Sequence, residues 1–360
     1  ALAARLGGDE FTVLLDDPPG RREAEALGER LMSVLAMPFQ IEGQEMFVTA
    51  SIGAARFPED GDDAASLLKN ADVAMYRVKQ RGRNNFQFFT RDMNGAGLEQ
   101  LMLENGLRRA LERGEFELHY QPQMCTRTGR IGGVEALIRW RRPEVGLVPP
   151  GAFIGLAEQN GLIMTIGAWV LREACRQAKE WLDQGFEFGR VAVNLSARQF
   201  ESGDLLQTIR DALYVTGLPP TRLELEITES IIMRNPQEAI GVLERVRDLG
   251  IAIAVDDFGT GYSSLASLKQ YPLDRLKIDR SFISGIPEDA DDIAITEAIV
   301  AVGHKMGLEL VAEGVETAAQ RDFLRKAGCD FAQGYLLGRP VLPEALQERL
   351  AQVAGPASAA

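Results

Sequence analysis

From about residue 115 onward the sequence alternates short strand patterns with longer helical patterns, and eight strands can be read. They fall at 116–121, 131–139, 190–195, 222–228, 251–257, 274–279, 308–313 and 331–336. Helical stretches lie between them, at 164–184, 203–215, 236–249, 290–306 and 317–327. Repeated strand–helix units bury their apolar faces as a parallel sheet covered by helices, and eight of them predict a closed α/β barrel of the (β/α)8 type. Gly250 and Gly328 each close a helical stretch just before a strand, a common helix stop.

Period two within the strands predicts where the chemistry lies. Val191, Val193 and Leu195 face away from Asn194, and Leu223 and Leu225 oppose Glu226. Ile251, Ile253 and Val255 oppose Asp256, Leu276 and Ile278 oppose Lys277, and Leu308, Leu310 and Ala312 oppose Glu313. A barrel strand packs its apolar face on the helices and turns the other inward. The polar set therefore points inward and sits late in each strand, at the rim where barrel enzymes place their reactive groups.

In chain order that set is Gln121, Glu135, Asn194, Glu226, Asp256, Lys277, Glu313 and Gln333, with Asp257 beside Asp256. Five carboxylates converging on one rim repel one another and need compensating cations. With only two His in the chain and oxygen donors throughout the set, Mg²⁺ or Mn²⁺ is the expected class of ion. Two ions about 4 Å apart, bridged by Asp256, suit phosphodiester hydrolysis. Lys277 would then orient the attacking water or stabilise charge on phosphate. Singly, each residue has a plainer reading. Asp256-Asp257-Phe258-Gly259 is also a strand-ending turn, Glu229 and Ser230 a helix start, and His119 a structural side chain. The plain readings do not account for all of the set standing at equivalent strand ends.

Charge narrows the partners. With 52 Asp+Glu against 39 Lys+Arg the net charge is −13, which argues against nucleic acid or an anionic membrane as partner. Three well-separated cysteines, Cys125, Cys175 and Cys329, imply no disulfide framework. No apolar run approaches a membrane span and no signal peptide opens the sequence, so a cytoplasmic location without membrane contact is expected of this stretch. An anchor in upstream regions stays open.

Residues 1–92 form a separate block, with a turn at Gly7-Gly8-Asp9-Glu10-Phe11 feeding a strand that has nothing before it to pair with. Helical patterns at 22–36 and 63–79 and strands at 46–56 and 86–89 follow. A Leu-, Glu- and Arg-rich stretch at 97–113 reads as a helix, so 93–114 is expected to connect this block to the barrel at 115–350. Residues 351–360 are expected to be a frayed tail.

Val134-Glu135-Ala136-Leu137-Ile138-Arg139-Trp140 resembles the signature of the EAL-domain cyclic di-GMP phosphodiesterases. Tyr120-Gln121-Pro122, Asn194 to Phe200, Glu226-Ile227-Thr228-Glu229, Asp256 to Ser264, Lys277-Ile278-Asp279, Glu313-Gly314-Val315-Glu316 and Gln333-Gly334-Tyr335 extend the resemblance over nearly all of 115–350. It implies a barrel whose first strand is antiparallel to the rest. It also implies hydrolysis of cyclic di-GMP to linear pGpG in bacterial second-messenger signalling, with two Mg²⁺ or Mn²⁺ ions and inhibition by Ca²⁺.

Carried onto this sequence, the resemblance gives Glu135, Asn194, Glu226 and Asp256 one metal, and Asp256, Asp257 and Glu313 the second. Lys277 would contact the catalytic water. Glu316 would anchor the Asp257–Ser264 loop that couples the metals to dimerisation. Gln121, Leu137, Arg139 and Gln333 would line the substrate groove, with Arg139 on a phosphate. A homodimer through the barrel is implied as well.

Residues 1–92 resemble the C-terminal half of a diguanylate cyclase (GGDEF) domain, through Gly7 to Phe11, Val48 to Gly53, Asp72 to Tyr76 and Gly82-Arg83-Asn84. Without the first half, Asp9 and Glu10 lack partners, and this truncated α+β block is expected to be inactive; Ala1 stands where an inhibitory-site Asp would fall. Two other readings compete for the barrel. One is a receptor that binds cyclic di-GMP without cutting it, which the full metal set disfavours. The other is enolase-type proton abstraction, which the adjacent aspartates disfavour.

Overall fold

The computed structural model describes all residues except 1, 8–9, 16–19, 36–38, 42–43, 47–48, 81–83, 91–92, 94–102, 105, 144, 260–269 and 355–360. It divides into two compact units, Ala1–Asn105 and Gly106–Ala360.

Strand-forming stretches in the second unit close on one another. The eight barrel strands, first to eighth, are Phe116–Cys125, Ile131–Arg142, Arg190–Asn194, Leu223–Thr228, Ala252–Phe258, Arg275–Ile278, Glu309–Ala312 and Phe331–Ala332. The second to eighth run parallel, each to the next. The first pairs antiparallel with both the second and the eighth and so completes the ring. Gly146–Val148 extends the second strand as a hairpin outside the ring.

The period-two reading of the faces holds. Val191, Val193, Leu225, Ile253, Val255, Leu276, Ile278 and Leu310 are all at most 2% exposed, beneath the surrounding helices. Each such side chain contributes about 1.5–3 kcal/mol by leaving water. The helices run Ile163–Asp183, Leu205–Thr216, Pro236–Arg247, Ala290–Lys305, Ala318–Ala327 and Pro343–Ala354. Thr317 and Gln320 form a capping box that starts one of them after the seventh strand. Tyr120, Trp181 and Phe188 stack edge to face at 4.8 and 5.6 Å between the first strand and the long Ile163–Asp183 helix.

The eighth strand is shorter than its apolar pattern suggests and ends at Ala332 rather than 336. At Gly334 the backbone lies so close to that of Val315 that an added Cβ would fall 2.2 Å from its nitrogen and oxygen. The chain turns there instead of extending the strand.

In the first unit the expected helices appear as Arg21–Leu35 and Ala64–Gln80. The second joins the parallel strands Ile52–Ala54 and Phe86–Phe88. The strand after the Gly7-to-Phe11 turn does have a partner, contrary to expectation. Leu2–Gly7 pairs antiparallel with Glu10–Leu14, because alternating side chains on both sides of so short a turn meet as a hairpin. Gly8 and Asp9 of that turn, Arg83 and part of the 97–113 helix lie outside the described residues, as does the tail from 355; residues 103–104 and 106–110 are helical. Cys125, Cys175 and Cys329 are free thiols.

Candidate active site

The inward positions of the barrel carry ions instead of the usual aliphatic filling. Near the carboxyl ends of the strands, Lys277 is 1% exposed and surrounded by acids. Its Nζ lies 2.7 Å from Glu226 Oε2, 2.7 Å from Glu313 Oε1, 3.1 Å from Asp256 Oδ1 and 4.0 Å from Glu135 Oε2. Asn194 Nδ2 donates to Glu135 Oε1 at 2.7 Å, and Gln333 Nε2 donates to Glu135 Oε2 and, at 3.1 Å, to Gln121 Oε1. Gln121 Nε2 in turn donates to the Gly338 carbonyl. All eight strand-end residues singled out from the sequence thus stand in one connected cluster.

Asp257 joins them through a backbone irregularity. Strict alternation would turn it away from Asp256. The register of the fifth strand against the sixth shifts between Val255 and Phe258, however, and Asp257 adopts φ 54°. A bulge of this kind re-aims a side chain at a modest energetic cost. As a result single carboxylate oxygens of Asp256, Asp257 and Glu313 lie within 4.8 Å of one another.

The electrostatics follow from burial and crowding. Burial pushes the Glu226 carboxyl well above the ordinary range, against the pull of Lys277. Burial raises Glu313 to about 7, with Asp256 adding to the effect and Lys277 opposing it. Burial and then Asp256 raise Asp257. For Glu135, burial acts upward, but Lys277 and the amides of Gln333 and Asn194 outweigh it and hold the carboxyl low. Burial works against the Lys277 ammonium, yet the surrounding carboxylates lift it well above its ordinary value. Acids held this far from their usual ionisation beside a buried cation are typical of a functional centre.

The second strand continues past the ring, so Leu137 and Arg139 follow Glu135 at successive inward positions, each about 7 Å further along. Arg139 is half-buried, which lowers its guanidinium, and Nη1 donates to the Ile138 carbonyl. Glu316 stands apart from the cluster, exposed and paired with Arg280 at 2.9 Å. Thr260 to Ser264 of the loop it was expected to anchor lie outside the described residues. At the start of that loop the acceptor is Glu229, which is buried and takes the Gly259 N–H at 3.2 Å. The sequence reading assigned Glu229 only to a helix start. Its place three residues after Glu226, just past the end of the fourth strand, was the available signal.

One pleat deeper, a second ionic layer was missed. Arg275 Nη1 donates to Glu224 Oε1 at 2.9 Å and to Gln123 Oε1 at 3.0 Å, and Nη2 donates to Glu309 Oε2 at 2.9 Å. Arg190 Nη1 donates to Glu224 and Glu309 at 3.3 and 3.2 Å. Residues two positions before Glu226 and Lys277 must share their face, and this spacing marks the layer in the sequence.

Whether divalent cations fit can be asked of the donors themselves. The cluster offers oxygen atoms only, among them Glu226 Oε1, a buried atom with no hydrogen-bond partner among the described residues. Hard cations take such ligands, and the residues fit. No described helix is long and apolar enough to cross a membrane.

Comparison with known proteins agrees with this geometry. The family model described as EAL domain matches residues 104–340, and that of the diguanylate cyclase GGDEF domain matches residues 1–85. The chain is 49% identical over 345 residues to the bifunctional diguanylate cyclase/cyclic di-GMP phosphodiesterase MucR of Pseudomonas aeruginosa, covering 95% of this chain and 50% of that protein. It is 46% identical over 349 residues to the cyclic di-GMP phosphodiesterase NbdA of the same organism, covering 97% of this chain and 44% of that one. The chain therefore spans about half the length of the curated relatives it matches. Among solved structures, the PaMucR phosphodiesterase in complex with c-di-GMP superposes with a TM-score of 0.66 at 51% identity, over 68% of this chain and 99% of that one. With an eight-stranded barrel, the strand-end cluster and a family match over most of its length, this chain belongs to the EAL domain family, and a GGDEF segment precedes the barrel.

Proposed function

We propose that the 106–360 unit hydrolyses cyclic di-GMP to linear pGpG with the help of divalent cations, Mg²⁺ or Mn²⁺. The observation that carries this reading is the packing of four carboxylates around the buried ammonium of Lys277, with a fifth, Asp257, turned toward them by a bulge. A pure binding pocket has no use for so costly a concentration of charge. Relatives named as cyclic di-GMP phosphodiesterases support the choice of substrate.

Glu135, Asn194, Glu226 and Asp256 would hold one ion, and Asp256, Asp257 and Glu313 the other. Bound there, such ions activate water and neutralise charge on the phosphodiester. The rest falls to the chain's own groups. Lys277, held by acids on several sides, points an N–H at the attacking water and fixes its line of approach. Arg139 pairs with a phosphate oxygen, its planar fork suited to that geometry. Gln121, Gln333 and Leu137 line the groove. Location in the cytoplasm and pairing of two barrels belong to the same proposal.

The test is hydrolysis of cyclic di-GMP with Mg²⁺ or Mn²⁺, followed by chromatography, for wild type, Glu135→Ala and Lys277→Ala. Formation of pGpG by the wild type and its loss in both folded variants is the expected result. Tight binding without any cleavage would replace the enzyme by a receptor.

A further inference from the structure

The deeper ionic layer is not needed to fill the barrel. Replacing a buried ion pair by apolar groups is often neutral for stability or better, so the layer calls for another explanation. Its connections supply one. Arg275 bonds to Gln123 on the first strand, Glu224 on the fourth and Glu309 on the seventh, while lying itself on the sixth. These four strands carry Gln121, Glu226, Glu313 and Lys277. Each anchored residue sits two or four positions from the site residue on its own strand.

The surroundings are shaped for this fork. Arg275 is 2% exposed, and Glu224 and Gln123 are fully buried. Phe331 lies against the guanidinium at 4.8 Å from ring centroid to Cζ. At Gly133 a Cβ would come within 2.7 Å of Gln123 Oε1, so the absent side chain leaves room for the amide that Arg275 holds. Ala254, beside Arg275 in the register, is also small.

We propose that Arg275 is a positioning residue for the reaction: one rigid guanidinium sets the relative levels of the four strands that present Gln121, Glu226, Lys277 and Glu313. It acts about 7 Å beneath the site, the length of one pleat, and touches neither substrate nor reacting atoms. Its contribution is geometric more than electrostatic, since Glu224 and Glu309 already balance the charges of Arg275 and Arg190. A lysine at 275 keeps the charge and loses the fork, so it fails to substitute. This inference rests on the hydrolase reading above.

Two variants test it. Arg275→Lys keeps the charge without the fork. Arg275→Met combined with Glu224→Gln removes both fully buried charges of the layer and leaves Arg190 paired with Glu309, so no buried charge is orphaned. Both are expected to keep KM for cyclic di-GMP within about twofold while kcat falls at least tenfold, as misplacement of reacting groups by a fraction of an ångström predicts. An independent readout needs no turnover: the ¹⁵N-detected ammonium signal of Lys277, sharp in the wild type, broadens or shifts in the double variant. Wild-type kcat with an unchanged ammonium signal in either folded variant would reduce Arg275 to a structural plug and overturn the proposal. A rise in KM at constant kcat would overturn it too, by assigning the fork to the groove. Absence of turnover in the wild type would sink the hydrolase reading alone, and the ammonium signal would still decide the role of Arg275.

Discussion

Lys277 Nζ stands 2.7 Å from Glu226 Oε2 with both side chains buried, and the same ammonium reaches Glu313 at an equal distance. One cation thus holds together acids from four further strands, Asp256 and Glu135 included. Removing it leaves their charge uncompensated away from water. Lys277→Met should therefore destabilise the barrel by about 3–5 kcal/mol in denaturant titrations run in chelator, as breaking buried ion pairs does. A loss below about 1 kcal/mol would mean the acids find other compensation.

The Glu313 carboxyl gives stability a pH dependence of definite sign. Burial raises it from an ordinary value of 4.5 to about 7. A raised group contributes stability that is fully present below its unfolded value and is lost as pH rises through its folded value. In chelator, the unfolding midpoint should decline from about pH 4.5 to pH 7 on account of this group. Addition of Mg²⁺ should restore more at pH 8 than at pH 5.5. A midpoint that climbs over this window, with Glu313→Gln behaving as the wild type, would contradict the assignment.

Asp257 trades backbone strain for position. Its φ of 54° is unfavourable for any residue with a Cβ and costless for glycine. Asp257→Gly should leave the melting temperature unchanged or raise it, by up to about 1 kcal/mol in stability. Turnover of cyclic di-GMP should fall more than a hundredfold. A variant that is both less stable and fully active would remove the bulge from the mechanism.

Glu229 fixes the start of the loop after the fifth strand through the Gly259 N–H. Glu229→Ala should lower kcat at least tenfold and weaken Mg²⁺ binding measured by calorimetry, with the circular dichroism spectrum retained. Glu316→Ala, at an exposed residue paired with Arg280, should change Mg²⁺ binding much less. Equal effects of the two would show that Glu316 also holds the loop.

Gly334 is a steric prediction. With the Val315 backbone 2.2 Å from any added Cβ, Gly334→Ala must push two segments apart beside Gln333. A loss of more than about 2 kcal/mol is expected from overpacking of this kind. Thermal unfolding measures it.

Much of the barrel could be read from the sequence because period two is a strong signal where one face is apolar and the other ionic. Leu225 and Ile227 against Glu226, or Leu276 and Ile278 against Lys277, leave little choice of orientation. Strand direction is not in that pattern, since alternation looks the same both ways, and the reversed first strand came from resemblance. Asp257 was singled out by its place beside Asp256, but its turn toward the cluster could not be read, because a bulge breaks the alternation that the reading relies on. Arg275 and Glu224 were in view, two residues before Lys277 and Glu226, but their pairing joins residues 51 apart in the chain. Local pattern carries no record of such a pairing. Leu2–Gly7 was overlooked since a hairpin needs both arms to be read at once.

The reversed first strand also decides by which end the polypeptide comes into the barrel. Phe116 begins that strand opposite Trp140, one residue past Arg139, whereas the strand's other end, Cys125, faces Phe331 near the deeper layer. In an all-parallel ring the chain would arrive at the opposite end from the carboxylates. Here it arrives at the same end as the carboxylates, so tension on the polypeptide just before Phe116 bears first on the pairing with Trp140 and Arg139. A pull on the backbone at Phe116 therefore reaches the strand ends that carry the acids before it reaches Arg275 and Glu224 beneath them.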